Sequence, residues 1–190
     1  MAFTFVSGNL ALDFAGTVAH RDTAPEDGLS VPRRLGEWAI AAGLVDTAPD
    51  IAETDLAQAL AVREAVYRLA RARAAGQAPD DSDIGVVNAA AADVPVTEVL
   101  TRDGLRRAGT ARQIVATLAR AAVILLGGPD AGRIRQCEDP PCTRLFVDTS
   151  RARSRRWCEM SGCGNRAKVA GFRARRSAGH PGEHPAPARP

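Results

Sequence analysis

The chain has 190 residues, 45% of them hydrophobic, and a net charge of only +3 at neutral pH. Alanine supplies 37 of the hydrophobic residues, so the composition predicts a folded, helical protein with a modest core. The longest apolar run, Ala121 to Leu126, is far shorter than the roughly 20 residues that a membrane-spanning helix needs. No basic residue precedes the apolar start MAFTFV, so neither a secretory signal nor a membrane partner is expected, and the predicted location is cytoplasmic.

The first 128 residues show helical periodicity, interrupted by one hairpin signal around Asp103-Gly104. Gly127-Gly128-Pro129 favours the end of a helix and a domain boundary. We therefore predict an α-rich domain over 1–128, a second module over 129–176 and a disordered tail over 177–190. Helices are predicted after Asn9, from Ser30 to Gly43, from Thr54 to about Ala75, from Asp80 to about Asp93 and from Ala111 to Gly127, with a hairpin over Val96–Arg107.

Charge is distributed unevenly between these regions. Residues 1–130 hold twelve arginines and seventeen carboxylates, a net charge of −5. Residues 131–176 reach +8 and contain all four cysteines. An acidic body with a small, basic, cysteine-bearing end is the main organisational feature of the sequence.

The cysteines occur as Cys137-x4-Cys142 and Cys158-x4-Cys163, with fifteen residues between the two pairs. This spacing is typical of a tetrahedral site in which four thiolates hold Zn²⁺ at about 2.3 Å. Two disulfides, or four unrelated buried thiols, are the alternatives. Disulfides are disfavoured in a reducing compartment, and the absence of any other cysteine in the chain favours one shared site. We predict one structural zinc ion that stabilises a segment too short to fold on its own.

A catalytic metal site is not expected, because catalytic zinc usually keeps a water ligand and often a histidine. The sequence has no histidine between residues 21 and 179, and His180 and His184 lie in the Pro/Gly-rich tail. No phosphate loop or catalytic triad stands out in the body. Asp13, His20 and Arg21 could line a small-molecule pocket, although ordinary surface positions are favoured. We predict no enzymatic activity.

The residues around the cysteines suggest a treble-clef-like module. Cys137–Cys142 would form a knuckle, 144–147 and 155–157 would pair as short strands, and a helix would run from Cys163 to about Arg176. The overall prediction is a mainly α fold with a small β-hairpin, joined to a C-terminal treble-clef-like four-cysteine zinc module.

The motifs C-x4-C, LF-x-D-x-SR, RRWC-x-M and CGNR-x-KV follow one another between Cys137 and Val169. This stretch resembles the CGNR zinc-finger family. The segments GNLALDFAGT and RLGEW of the body resemble the ABATE domain that accompanies this finger. The resemblance implies a stress-induced transcription regulator whose finger binds DNA, with the α-rich domain sensing a signal or mediating dimerisation.

The basic module favours nucleic-acid binding, with double-stranded DNA as the expected partner and association with the nucleoid. Of the 25 basic residues in the chain 24 are arginine, so the choice of arginine over lysine is not evidence of base recognition. A homodimer and a small-molecule effector of the N-terminal domain are compatible with this interpretation. A solvated face, docking on the acidic body, an adaptor that binds an acidic protein and an RNA-binding module are the alternatives. The expected DNA contacts are Arg151, Arg153, Arg155, Arg156, Asn165, Arg166, Lys168, Arg173 and Arg175.

Two further side chains of the module are expected to have structural roles. Trp157 should pack over the metal rather than stack on a base. Asp148 should cap the turn at Thr149-Ser150.

Overall fold

A computed structural model describes residues 3–178, and the mainly α fold with small hairpins is confirmed. The helices are α1 (Leu10–Ala15), α2 (Pro32–Ala41), α3 (Glu53–Ala74), α4 (Asp81–Ala91), α5 (Ala111–Gly127) and α6 (Asn165–Ala178). The strands form three antiparallel pairs: β1 (Val18–Ala19) with β2 (Glu26–Asp27), β3 (Thr97–Thr101) with β4 (Gly104–Ala108), and β5 (Ile134–Gln136) with β6 (Leu145–Val147). A 3-10 turn spans Pro129–Arg133 and a π-helical turn spans Met160–Gly164.

Short polar side chains cap the N-termini of three helices. Asn9 accepts the Ala11 amide at 2.9 Å, and Asp80 accepts the Ser82 amide at 2.8 Å. Thr110 accepts the Gln113 amide at 3.3 Å. Each cap satisfies a backbone donor that the helix itself leaves unpaired. The helix starts of the body therefore follow from local sequence.

The body is a bundle in which α1, α3, α4 and α5 pack against one another, with α2 against α3. Trp38 of α2 and Phe14 of α1 are fully buried, with their ring centroids 5.3 Å apart. None of the helices in residues 3–178 combines the length and apolar character that crossing a membrane requires.

Strand β6 contributes side chains to the hydrophobic cores of both the body and the cysteine module. Leu145 and Val147 join the hydrophobic core of the body, together with Ile134 of β5. Phe146 points to the opposite face and packs with the four cysteines. Since successive side chains of a strand point to opposite faces, one three-residue strand contributes to two cores. The module is thereby joined to the bundle by buried apolar surface.

The predicted strand pairing of the module is wrong. Residues 144–147 pair with β5 and not with 155–157, which contribute one bridging bond, from the Glu138 amide to the Arg156 carbonyl at 3.0 Å. The apolar alternation of β5 and β6 lets both strands bury a face against the bundle, whereas 155–157 is strongly basic. Arg151, Arg153 and Arg155 alternate in the sequence, and in an extended segment they would project to one side. Residues 151–153 instead form a turn with Arg153 at φ 50°, so this arrangement does not occur.

Candidate metal centre and basic surface

Four cysteine thiols meet at one point of the module. Cys137 directly follows β5 and Cys142 lies in the turn before β6, while Cys158 precedes the π-helical turn and Cys163 lies within it. Their sulfur atoms all lie within 4.8 Å of one another, and all four residues are buried. The fold thus brings together the four residues that the spacing singles out.

The sulfur positions fit a tetrahedral zinc ion. Four thiolates at about 2.3 Å from Zn²⁺ stand about 3.8 Å from one another. The sulfur of Cys158 lies 3.8 Å from that of Cys142 and 3.5 Å from that of Cys163. These distances exceed the roughly 2.05 Å of a disulfide, and all four cysteines are free. Among the His, Cys, Asp and Glu side chains of residues 3–178, this group alone is compact enough to hold a metal ion.

The electrostatics of the cluster favour a bound cation. Hydrogen bonds from the Cys142 and Cys158 thiols lower the pKa of Cys137. The pKa of Cys158 is raised, first because its own thiol donates to Cys137, and burial raises the pKa of Cys163. One thiolate therefore forms readily and opposes ionisation of its neighbours. A divalent cation would offset this repulsion and hold all four sulfurs as thiolates.

Arg166, an expected DNA contact, is directed at the metal centre. Its guanidinium donates to Asp139 Oδ2 from Nε at 2.9 Å and from Nη2 at 2.5 Å, and Nη2 lies 3.0 Å from the sulfur of Cys163. Asp139 is 4% exposed, and its backbone carbonyl accepts the Cys142 amide at 2.7 Å. Arg166 therefore connects α6 to the knuckle and places a positive charge beside the sulfur of Cys163.

Arg155 also makes its hydrogen bonds within the protein. Its guanidinium donates to the carbonyls of Trp157 and Cys158, and to that of Val6 at 2.9 Å. The same group lies over the ring of Phe146, 4.5 Å from its centroid. Arg155 thus connects the loop before Cys158 to the N-terminal segment of the body.

The expected structural roles of Trp157 and Asp148 agree with their contacts. Trp157 is half-buried against the cysteine cluster, and the guanidinium of Arg156 lies 4.8 Å from its ring centroid. Arg156 also pairs with Glu138 at 2.6 Å. The pKa of Asp148 lies below its ordinary value. Burial alone would raise it, but the hydrogen bonds from the Ser150 hydroxyl and backbone amide outweigh the effect of burial.

The other expected contacts lie at the surface of the module. Lys168 and Arg175 lie two turns apart on one face of α6, while Arg151 and Arg153 lie in the exposed turn. Within residues 3–178 these four side chains make no ion pair. Asn165 and Arg173 are exposed on the same helix. Of the nine expected contacts, only Arg155 is half-buried, and the other eight are exposed. Arg156 and Arg166 are exposed although they also pair with Glu138 and Asp139.

The three residues considered for a small-molecule pocket have structural partners instead. Asp13 accepts the amides of Val6 and Ser7 at 3.0 and 2.9 Å. His20 Nδ1 lies 2.7 Å from the Pro141 carbonyl oxygen. Arg21 pairs with Glu64 of α3 at 2.5 Å. The His20 contact joins the body to the knuckle, whereas the Asp13 and Arg21 contacts lie within the body. No local pattern in the sequence indicates these contacts.

Comparison with protein families adds two matches. The ABATE model, described as "Putative stress-induced transcription regulator", matches residues 8–129. The CGNR zinc finger model matches residues 133–176. A comparison with curated proteins gave no match. Neither family description names an enzymatic activity. The chain belongs to the ABATE family and carries a CGNR zinc finger at residues 133–176.

Proposed function

We propose that the protein is a transcription regulator that binds double-stranded DNA through a zinc finger holding one structural ion. The observation that carries the proposal is the display of Lys168, Arg175, Arg151 and Arg153 on a module whose cysteine cluster fixes their positions. Basic side chains held on a rigid scaffold suit contacts to phosphates. The family description as a transcription regulator supports the same function.

In this proposal Cys137, Cys142, Cys158 and Cys163 are the ligands. Four thiolates close the coordination shell, and their burial leaves no place for a substrate, so the ion has a structural and not a catalytic role. Arg166 and the Cys158 amide, which lies 3.4 Å from the sulfur of Cys137, form the outer shell that stabilises thiolate charge.

The proposed contact set is revised by the geometry. Lys168, Arg175, Arg151 and Arg153 are assigned to phosphates, with Asn165 and Arg173 next to them on α6. Arg155 and Arg166 hold the module together instead, while Arg156 remains exposed and pairs with Glu138. An adaptor for an acidic protein and an RNA-binding module remain the competing functions, because the same basic surface would serve each of them.

The proposal includes the domain division of 1–128, 129–176 and 177–190, with the last segment outside the described residues apart from the end of α6. If DNA is the partner, the protein is expected in the cytoplasm, associated with the nucleoid. For an effector, the body offers an open cavity of about 310 Å³ between α3, α4 and α5. Its lining is mostly apolar and includes the polar side chains of Arg73, Gln77 and Asn88.

Salt-dependent binding of the zinc-loaded chain to duplex DNA tests the proposal. Between about 50 and 200 mM salt, Lys168→Gln and Arg175→Gln should each reduce the slope of log affinity against log salt by about one, on every sequence alike. Arg33→Gln, at an exposed arginine of α2 in the body, is the matched control and should leave the slope unchanged. A competing function would be favoured if the chain did not bind duplex DNA but bound RNA, or an acidic protein, in a way that depends on Lys168.

A further inference from the structure

The β3–β4 hairpin is the most exposed regular element of the body. All five residues of β3 are exposed, and the cross-strand pair Leu100 and Leu105 is 86% and 46% exposed. Val99, at the centre of β3, is 50% exposed. A two-stranded sheet with this much apolar surface in water is at best marginally stable, and a third strand would stabilise it.

The two edges of this hairpin differ. On β4, Arg107 bonds outward to Asp46 through both backbone groups: its amide donates to Asp46 Oδ2 at 3.1 Å and its carbonyl accepts the Asp46 amide at 3.0 Å. Outward-facing and inward-facing residues alternate along an antiparallel pair, and Arg107 lies opposite Glu98. Glu98 and Leu100 of β3 therefore direct their amides and carbonyls away from β4, along an edge that no described strand covers.

This edge lacks the features that keep strands from pairing with other chains. Residues 97–101 contain no proline, lysine or arginine, and the strand has no bulge. The Glu98 carboxylate lies 2.9 Å from Arg107 of its own hairpin and is thereby neutralised. Natural proteins usually protect open edges with such features, so an unprotected edge indicates a strand that is paired in the functional state.

The sequence of β3 is complementary to itself. With a two-fold axis at Val99, Thr97 would oppose Thr101 of the partner subunit, and Val99 would oppose Val99 of the partner subunit. The outward groups of Glu98 would meet those of Leu100 of the partner subunit, giving four backbone hydrogen bonds in two symmetric pairs. Pairs of β-branched residues directly opposite one another stabilise antiparallel sheets. Every outward group of β3 thus finds its partner in a second copy.

We propose that the protein forms a two-fold symmetric dimer in which β3 of one chain pairs antiparallel with β3 of a second copy. The two hairpins become one four-stranded sheet, an isologous interface. The inference goes beyond DNA binding, and it holds whether or not the finger binds nucleic acid.

Disulfide trapping in the zinc-loaded full-length chain tests both the interface and its register. Under mild oxidation the Val99→Cys variant should form a covalent dimer on non-reducing gels, since the two introduced thiols face each other across the axis. Leu100→Cys is the matched control. Its two copies would lie on a diagonal about 7–8 Å apart, which is too far for a disulfide. The parent chain, oxidised in the same way, shows how much covalent dimer forms through the native cysteines.

The mass in solution provides an independent measurement. The parent should show concentration-dependent dimerisation by light scattering. Val99→Lys, which places two ammonium groups opposite each other, should remain monomeric with its zinc content unchanged. Ile124→Lys alters another exposed residue (74% exposed) and should dimerise like the parent. A parent chain that is monomeric up to near-millimolar concentration overturns the proposal, as does a dimer that persists in Val99→Lys or equal trapping of the two cysteine variants.

Discussion

The body and the cysteine module are stabilised in different ways. The body buries a continuous apolar core that includes Trp38, Phe14 and Leu118. The core of the module consists of Phe146 and the four cysteines, with Val6 and Trp157 packed against it. Ile134, Leu145 and Val147 of the module pack instead with the body core. The apolar surface buried around the cysteines is small against the conformational entropy of the segments that carry them, so we expect metal ligation to stabilise those segments.

Arginine also has different roles in the two regions. In the body it mostly neutralises carboxylates, as in the bidentate pair between the buried Arg63 and Asp27 at 2.8 Å. In the module Arg155 and Arg166 donate to backbone carbonyls, to Asp139 and to a sulfur, and others are displayed without a carboxylate. The same residue type therefore mainly neutralises carboxylates in the body, whereas in the module it both joins segments and contributes to the basic surface.

The largest effect is expected from removing one zinc ligand. Cys158→Ser should abolish zinc binding and unfold residues 137–142 and 155–178, because four of the five residues in the cysteine cluster core are the proposed ligands. Native mass spectrometry should show no zinc, and amide exchange should rise in these two segments while α3 and α5 stay protected. Ser161→Ala, at an exposed position of the same turn, is the control. A variant module that remained protected without metal would contradict the distinction between the two regions.

A substitution in β5, the partner strand of β6, should destabilise the body although it lies in the cysteine module. Ile134→Ala removes a fully buried side chain that packs with the body core, and should lower the free energy of unfolding by about 2–5 kcal/mol. Zinc content should stay at the parent value because Ile134 is not part of the cysteine cluster. Urea unfolding measures the change, with Ile124→Ala at an exposed position as the control. An unchanged midpoint would mean that the two regions unfold independently.

Arg166→Gln should weaken zinc binding while leaving the four ligands in place. The variant loses the charge beside Cys163 and the pairing with buried Asp139, and such outer-shell changes typically cost 10- to 100-fold in metal affinity. Competition with a chelator measures the affinity. Lys168→Gln, two residues further along α6 and exposed, should bind zinc like the parent. Equal affinities for the two variants would show that Arg166 serves the surface and not the metal centre.

The sequence predicted those features that depend on residues close together in the chain. Helix starts were predicted after Asn9, from Asp80 and from Ala111. In the structure Asn9, Asp80 and Thr110 cap these helices through amides two or three residues away. The cysteine spacing predicted the cluster because two tight turns can each supply two ligands to one tetrahedral ion. Local geometry fixes these features before any tertiary contact forms.

Contacts between segments far apart in the chain could not be predicted from local sequence patterns. Arg155 donates to Val6, 149 residues earlier, and Arg21 reaches Glu64 across 43 residues. The pairing of β5 with β6 depends on the apolar surface that the bundle offers to Ile134 and Leu145. In a chain with 24 arginines, residue type could not distinguish an arginine that packs inside from one that is displayed.

The smallest expected effect concerns acid sensitivity of the body. Burial alone would raise the pKa of Asp27, but the hydrogen bonds and charge of Arg63 outweigh it and hold the pKa below its ordinary value. The ionised Asp27 therefore stabilises the fold above the unfolded pKa of about 3.9, and this contribution is lost as the pH falls through the lower folded value. Because Asp27 is partly exposed, we expect Asp27→Asn to cost about 1 kcal/mol at pH 7.

The pH dependence of that cost separates the ion pair from simple packing. The difference in unfolding free energy between the parent and Asp27→Asn should be constant from pH 7 to about pH 5 and should shrink below about pH 4. Asp50→Asn, at an exposed aspartate, is the control and should follow the parent at every pH. Urea unfolding at a series of pH values measures all three proteins. A difference that stays the same down to pH 3 would show that Arg63 stabilises the body through packing and neutral hydrogen bonds, and the contrast in how the two regions use arginine would then rest on geometry alone.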